Sequence, residues 1–173
     1  AFEKERDVIN AALKSKQLKP DDADFQNIII KPINSIIMKI IEIKDGNRTH
    51  PNFNALNALA EGVAVLGWVC VSTPMSYVPE FKDSAQFWTN RVLKDYKSKA
   101  NEGNEGAKLW VEWVKLYLAV FDELKAYVKE WATTGLVFKG DMEFMDAIKE
   151  KATSAPKGGA SSSVPPPPPT PPP

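Results

Sequence analysis

Hydrophobic residues recur at helical spacing in six segments of the chain, and no segment shows sustained alternation of apolar and polar residues. The connections between the segments are short, which favours antiparallel packing of successive helices. The predicted fold is therefore all-α, an antiparallel six-helix bundle followed by a disordered polyproline tail. Five of the segments are expected to begin near Glu3, Asp21, Phe53, Pro79 and Asp141, and the fifth segment follows a loop over 101–106.

The fifth segment has the most regular pattern. Its apolar residues are separated alternately by four and three positions over three heptads, which is typical of a long helix with one buried seam. Trp113 falls beside this seam and is expected to be partly exposed. The segment is predicted to be the spine of the bundle. The seam residues are Trp110, Val114, Tyr117, Phe121, Leu124, Val128 and Trp131.

The second and third segments are also strongly apolar. The second carries a wide isoleucine stripe, and Pro32 in its middle predicts a kink because proline removes a backbone donor and clashes with the preceding turn. Gly46 is expected to end this helix. The third helix is predicted to bury Phe53, Leu56, Leu59, Ala60, Val63, Leu66 and Val69.

The composition changes after residue 152. We predict a bundle domain over 1–152, a flexible glycine- and serine-rich linker over 153–164 and a polyproline segment over 165–173. Uninterrupted proline favours a stiff polyproline II helix, which can dock into an aromatic-lined groove or act as a spacer. The tract suggests a ligand for a domain with an aromatic-lined groove, such as an SH3-type domain. Its docking residues would be Pro165, Pro166, Pro167, Pro168, Pro169, Pro171, Pro172 and Pro173.

Charge and cysteine content narrow the possible partners. The 22 basic and 22 acidic residues cancel, so no overall field attracts nucleic acid or anionic lipid. No apolar stretch is expected to span a membrane, and residues 1–6 do not resemble a signal peptide. The single Cys70 predicts a buried apolar residue in a reducing compartment. We expect a soluble, cytoplasmic protein.

The sequence lacks the constellations that catalysis requires, so we predict a protein that is not an enzyme and has no cofactor or metal site. His50 lies beside a proline in a predicted turn, and one histidine with one cysteine cannot build a zinc site. The acidic cluster Asp21, Asp22 and Asp24 suits the N-terminus of a helix better than a bound cation.

The fourth segment contains a local excess of positive charge. Between Asn90 and Lys99 there are four cations and one anion, which charge pattern alone would assign to solvated surface. Phe87 and Trp88 are adjacent on this helix, so both cannot face the same buried stripe. One of the two is predicted to lie at an edge, where an aromatic ring can anchor a partner.

Several strings in the central part of the chain resemble the amino-terminal helical domain of the adenylyl cyclase-associated proteins. They are Gly67-Trp68-Val69, Tyr77-Val78, the run from Phe87 to Lys97, the run from Trp113 to Leu118, and Thr133-Thr134-Gly135-Leu136. The resemblance covers most of residues 50–139 and extends more loosely over the first two helices. A polyproline tract follows the domain in that family as it does here.

The resemblance implies a six-helix bundle that acts with cofilin on actin to promote filament disassembly and monomer turnover, at the actin-rich cell cortex. It also implies that the proline tract binds profilin and that the parent protein binds adenylyl cyclase through a segment expected to be absent here. The loop from Ser98 to Lys108 looks longer than the family pattern. The residues assigned to the actin and cofilin contact are Pro74, Tyr77, Val78, Asn90, Arg91, Lys94, Lys97, Thr134 and Gly135.

A second function of a different class stays open at this point. The domain could mainly dimerise through its aromatic edge and cluster the partners bound to its tails, without acting on filaments itself. The sequence does not decide between a monomer and a homodimer.

Overall fold

A computed structural model describes residues 2–19 and 21–153, and in this part of the chain it contains six α-helices and no β-strand. The prediction of an all-α six-helix bundle is confirmed. A single β-bridge joins Ser15 to Met142. The helices are α1 (Phe2–Lys14), α2 (Lys31–Gly46), α3 (Phe53–Val63), α4 (Pro74–Asn101), α5 (Glu105–Trp131) and α6 (Phe144–Thr153).

Pro32 affects the entry into α2 by widening the preceding helical turns. Residues Phe25–Ile30 form a π-helix, and the Lys31 N–H donates to the Gln26 carbonyl, five residues back. A proline ring clashes with the carbonyl four residues earlier in a regular α-helix, and a widened turn relieves that clash. The expected irregularity at Pro32 therefore takes the form of a six-residue π-helical stretch. As predicted, α2 ends at Gly46.

The buried face of α3 differs from the prediction. Small residues face the core, among them Ala55, Ala58 and Gly62, whereas Leu59 is exposed. The reason is the close approach of α5, since a Cβ built on Gly62 would lie 2.1 Å from the Tyr117 hydroxyl oxygen. Large side chains cannot fit at this crossing. The helix then tightens into a 3₁₀ segment, Ala64–Cys70, which does bury Leu66 and Val69 as expected.

Helix α4 begins at Pro74, five residues before the predicted start at Pro79. Pro74 occupies the first turn, where a missing N–H costs nothing, and Pro79 lies inside the helix. Pro79 removes only one backbone hydrogen bond near the N-terminus, so the helix continues for 28 residues. The connection expected over 72–77 is correspondingly shorter.

Helix α5 is the spine, and its seam is buried at Val114, Phe121 and Val128. The last seam residue, Trp131, is exposed because the helix ends there. The Tyr117 hydroxyl donates to the Ala58 carbonyl at 3.0 Å, which fixes α5 against α3. Asn104 caps the helix by accepting from the Ala107 N–H at 2.9 Å.

The core of the described residues is built as two clusters. One joins α1, the π-helix, the 3₁₀ segment, both long helices and α6, where Phe144 is buried as predicted. The other, around Ala55, Val92 and Val114, joins α3, α4 and α5. Helix α2 has no fully buried residue and packs mainly against α3.

One stretch, Phe53–Cys70, is long and apolar enough to span a membrane by length and mean hydropathy alone. The expectation that no apolar stretch is long enough to span a membrane was therefore wrong. The buried part of this stretch, 44% of it, includes Ala58, Trp68 and Val69 of the bundle core. Its apolar character is that of a core segment.

Candidate interaction surfaces

Three of the positive residues of α4, Arg91, Lys94 and Lys97, lie on one strip of the helix together with Phe87 and Asn90. We call these five residues the α4 basic face. Residues three and four positions apart share one side of a helix, so the three cations occupy successive turns. Lys94 and Lys97 are exposed, and neither belongs to an ion pair within residues 2–19 and 21–153. The face therefore offers uncompensated positive charge in a chain of zero net charge.

Arg91 is held in place by aromatic rings. Its guanidinium carbon lies 3.7 Å from the centre of the Phe87 ring and 5.0 Å from that of Trp88. It also donates to the Phe87 carbonyl at 2.8 Å. Phe87 is 53% exposed and Trp88 is half-buried, so Phe87 is the edge member of the pair. The result is a preorganised cation with an exposed aromatic ring beside it.

The start of α4 serves the core more than the surface. Pro74 and Val78 are buried, and their side chains are not available to a partner. Tyr77 is half-buried against Phe81, with ring centres 4.6 Å apart, and its hydroxyl donates to the Ala64 carbonyl at 3.0 Å. Burial raises the pKa of Tyr77. Tyr77 fixes the 3₁₀ segment to α4, and Pro74 and Val78 belong to the buried interior, which argues against the direct contact roles expected for the three residues.

The turn after α5 packs against the chain just before α4. Gly135 is buried with a φ of +100°, and a Cβ on it would lie 2.5 Å from the Val71 carbonyl oxygen. Its role is to let the turn approach this backbone closely. Thr134 beside it is exposed. Of the residues expected in this loop, only Thr134 presents a side chain to solvent.

The structure does not unite the expected contact residues in one patch. Tyr77 and Thr134 lie near the first turn of α4, whereas Lys94 follows Tyr77 by 17 residues in the same helix. At 1.5 Å per residue the two are about 25 Å apart. A partner that touches both must cover much of the length of α4. The α4 basic face alone is a compact surface.

A second surface is lined by residues for which the sequence predicted no binding role, including Leu56, Leu59 and Trp110, which were predicted to be buried. A cavity of about 360 Å³ lies where the C-terminus of α2, the start of α3 and the first half of α5 meet. We call it the Trp110–Trp113 groove. Its lining is Ile43, Asn47, His50, Asn52, Ala55, Leu56, Leu59, Trp110 and Trp113.

A second apolar stripe on α5, which reaches the groove at Trp113, was a signal in the sequence for uncovered apolar surface on this side of the bundle. Leu109, Trp113 and Leu116 recur at spacings of four and three beside the main seam. Leu109 and Leu116 are 72% and 59% exposed. The main seam and the second stripe together make a wide apolar surface on α5. Because α2 packs mainly against α3, part of this surface stays uncovered.

The chain matches the family model "CAP, N-terminal domain" over residues 1–136. The chain belongs to the CAP N-terminal domain family. It is 40% identical over 139 residues to the adenylyl cyclase-associated protein of Schizosaccharomyces pombe, a match that covers 80% of this chain and 24% of the relative. The chain thus spans about a quarter of the length of that relative.

Two solved structures of this family resemble the fold. One is a crystal structure of the N-terminal domain of CAP that indicates variable oligomerisation, with a TM-score of 0.71 and 35% identity, covering 81% of this chain and 72% of the other. The second is the N-terminal domain from Dictyostelium discoideum, with a TM-score of 0.70 and 35% identity, covering 81% and 76%. The resemblance found in the sequence is confirmed.

Cys70 and the acidic cluster were the groups of this CAP domain considered for chemistry, and the structure describes the surroundings of both. Burial raises the pKa of Cys70 to about 11, so its thiol stays protonated, although the residue is half-buried and not fully buried as expected. Asp22 accepts from the Lys19 N–H at 2.6 Å, which closes the turn before the helix and does not cap it, and Asp24 at the N-cap makes no side-chain cap hydrogen bond, so the expected capping role of the acidic cluster is not supported. The described residues contain no cluster of three potential metal ligands. The linker beyond Thr153 and the proline tract lie outside the described residues.

Proposed function

We propose that this CAP domain regulates the actin cytoskeleton, acting with cofilin on actin to promote filament disassembly and monomer turnover at the cell cortex. The observation that carries the proposal is the α4 basic face. Its three cations lie on successive turns, two of them without an ion pair among the described residues, beside a ring that is 53% exposed. Such a face suits a partner with an acidic surface, as we expect for actin.

The mechanism divides the work between charge and aromatic contact. Lys94 and Lys97 steer the encounter and form rim contacts, because exposed charges act mainly on association. Phe87, held against Arg91, is the apolar anchor. Tyr77 and Val78 support this surface only indirectly, through the packing of α4. Thr134 would contact a partner only if that partner also reached the far end of α4.

The test is cofilin-driven filament disassembly with the full chain and with an Arg91→Ala/Lys94→Ala/Lys97→Ala variant. Each exposed charge contributes about 0.3–0.5 kcal/mol, so the three together predict a rate enhancement lower by about five- to ten-fold. A matched control is Lys115→Ala/Lys125→Ala/Lys129→Ala on α5, with the same charge change at exposed positions. If the α4 variant remains folded and is as active as this control, the assignment of the face is wrong.

A separate part of the proposal concerns the tail. We propose that Pro165–Pro173 docks profilin or SH3-type domains and that the parent protein binds adenylyl cyclase through another segment. Replacing the eight prolines of the tract by serine should abolish binding of a profilin-type domain. Helical content should be unchanged, because the tract follows the last described helix. Retained binding would place the profilin site on the bundle.

The alternative function, a dimerising scaffold, is favoured by one finding. A similar CAP domain crystallised in a form that indicates variable oligomerisation. Sedimentation over a range of concentrations, combined with the disassembly measurement, separates the two proposals. A monomer that accelerates disassembly excludes obligate scaffolding, and an inactive dimer excludes action on filaments by the domain alone.

A further inference from the structure

The Trp110–Trp113 groove has the surface chemistry of a site for a proline-rich segment. Its lining residues carry no formal charge, and they combine two indole rings with aliphatic side chains and polar amides. A volume of about 360 Å³ falls within the range of ligand pockets. Peptides in the polyproline II conformation dock on such aromatic surfaces, because they lose little conformational entropy on binding.

The indole rings are positioned by their neighbours. Trp110 stacks on Tyr96 with ring centres 5.5 Å apart, and Trp113 stacks on Tyr117 at 5.2 Å. The Tyr96 hydroxyl in turn donates to the Asn52 side chain. These contacts fix both rings before any ligand arrives, which reduces the ordering cost of binding.

Hydrogen-bond donors without partners line the same groove. Neither the Trp110 nor the Trp113 indole N–H takes part in a hydrogen bond within residues 2–19 and 21–153. His50 Nδ1 accepts from the Asn52 N–H at 3.1 Å, so the neutral ring carries its proton on Nε2 and can donate outward. A polyproline II segment has carbonyl groups free to accept from such donors, because it makes no internal hydrogen bonds.

The spacing of the rings also fits. The Trp110 and Trp113 ring centres are 5.6 Å apart. Two residues of a polyproline II helix rise about 6 Å, so alternate prolines could contact the two rings in turn. An amphipathic helix would normally place charged residues at the rim of its groove, and the lining here offers no charge to pair with them.

We propose that the Trp110–Trp113 groove binds the chain's own proline tract, Pro165–Pro173, as an intramolecular ligand. The tract carries no charge, and it is the one long proline run in the sequence. This proposal is independent of the proposed binding of profilin, because the groove and the tract are present whether or not profilin binds.

The chain between the last helix and the tract is long enough for this contact. Ile148 of α6 shares a cavity with Ile36 of α2, and Ile43 at the groove lies seven residues further along α2. Seven helical residues span about 10 Å, and the five residues from Ile148 to the end of α6 at Thr153 add at most about 8 Å. The eleven residues 154–164 reach at most about 40 Å when extended and about 17–20 Å on average when flexible. The tract would then face the groove at an effective concentration of about 1 mM.

The experiment compares the indole N–H resonances of the full chain with those of a variant whose eight tract prolines are replaced by serine. We expect the Trp110 and Trp113 resonances to differ between the two proteins, independently of protein concentration. We expect those of Trp88 and Trp131 to be unchanged. Adding octaproline to the serine variant should restore the shifts, and it should bind that variant about ten-fold more tightly than the full chain, whose groove is already occupied.

A groove variant supplies the second readout. Trp110→Phe/Trp113→Phe keeps the aromatic packing and removes both N–H donors, and it should weaken octaproline binding to the serine variant by about ten-fold. Trp131→Phe, which changes an exposed indole outside the groove, is the control and should leave binding unchanged.

Several outcomes would overturn the proposal. Identical spectra of the full chain and the serine variant would exclude docking of the chain's own tract, even if octaproline binds when added. Shifts that grow with protein concentration would show binding between molecules and not within one. Octaproline binding that is equally affected by Trp131→Phe would place the site elsewhere.

Discussion

The buried carboxyl group of Glu5 shows how one residue can make stability depend on pH. Glu5 is 6% exposed, and neither its Oε1 nor the Trp68 indole N–H has a partner with good hydrogen-bond geometry among the described residues. Burial raises the pKa of Glu5 to about 8, and the nearby Trp68 indole offsets only part of that rise. The negative charge would also disfavour the ionised forms of Cys70 and Tyr127, whose pKa values are raised chiefly by burial.

We predict that the free energy of unfolding falls as the pH rises from about 5 to about 9. The unfolded chain releases the Glu5 proton near its ordinary pKa of 4.5, whereas the folded protein retains it to about pH 8. The stabilisation is therefore complete below pH 4.5 and is lost by about pH 8, a change on the order of 3–5 kcal/mol. Urea unfolding at about pH 5, 7 and 9 measures it.

Glu5→Gln is the matching variant, because it keeps the shape of the side chain without an ionisable group. Its unfolding free energy should vary less with pH, and at about pH 9 it should be at least as stable as the parent. Glu3→Gln, at an exposed position of the same helix, should keep the pH dependence of the parent. The same slope in the parent and in Glu5→Gln would contradict this assignment.

Gly135 allows a second prediction at the scale of a single residue. Its φ of +100° is unfavourable for a residue with a side chain, and a Cβ would meet the Val71 carbonyl oxygen at 2.5 Å. Gly135→Ala should therefore lower the unfolding free energy by about 2–4 kcal/mol. Thermal and urea unfolding provide the measurement.

Gly103→Ala measures how much of the stability loss comes from the positive φ alone, without a steric contact. Its φ is +94°, but no described atom lies within 4 Å of the position that a Cβ would take, so Gly103→Ala should cost only about 1–2 kcal/mol. Gly46→Ala, which has neither a positive φ nor a close contact among the described residues, should be close to neutral. Equal losses in Gly135→Ala and Gly103→Ala would show that the contact with Val71 contributes nothing.

At the scale of elements, the sequence predicted helices well where one periodic stripe dominates. The seam of α5 is buried at Val114, Phe121 and Val128. Phe144 is buried as expected, although α6 begins at this residue and not at the predicted Asp141. Both predictions rest on large apolar residues at helical spacing, and burial of such residues is the main stabilising term.

The predictions that failed depend on contacts between elements. The buried face of α3 follows from the closeness of α5 at Gly62, which no pattern within α3 reveals. The start of α4 at Pro74 likewise depends on packing, since Pro74 and Val78 are buried against other segments. Proline at 79 was interpreted as a first-turn residue, but a stable 28-residue helix tolerates it inside.

The candidate site was only partly predictable for the same reason. Charge spacing in the sequence located Arg91, Lys94 and Lys97 on one strip of α4. The sequence could not show that Gly135 is buried or that Tyr77 uses its hydroxyl within the fold. The Trp110–Trp113 groove was missed because Leu56 and Leu59 were assigned to the core.

At the scale of the whole molecule, stability is unevenly distributed. Helices α4 and α5 pack along their lengths, and both contribute to the two core clusters. Helix α2 has no fully buried residue, and Met38 and Ile43 are 63% and 52% exposed. The π-helical turns before Pro32 leave α2 without a regular helical continuation on its N-terminal side. Among the described residues, Ile33 is the α2 residue that packs against a core cluster, so opening of α2 removes little of the cover of either cluster.

We predict that the backbone amides of α2 exchange with solvent through local opening, at a free energy several kcal/mol below that of α4 and α5. Few buried apolar contacts and exposed backbone hydrogen bonds are the features of such low-stability units. Native-state hydrogen exchange followed by NMR would resolve the three helices. The Val114 and Phe121 amides serve as internal references, because those residues lie in the buried seam of α5. Ile36 and Ile40 would exchange as slowly as these references if α2 were part of the global unfolding unit.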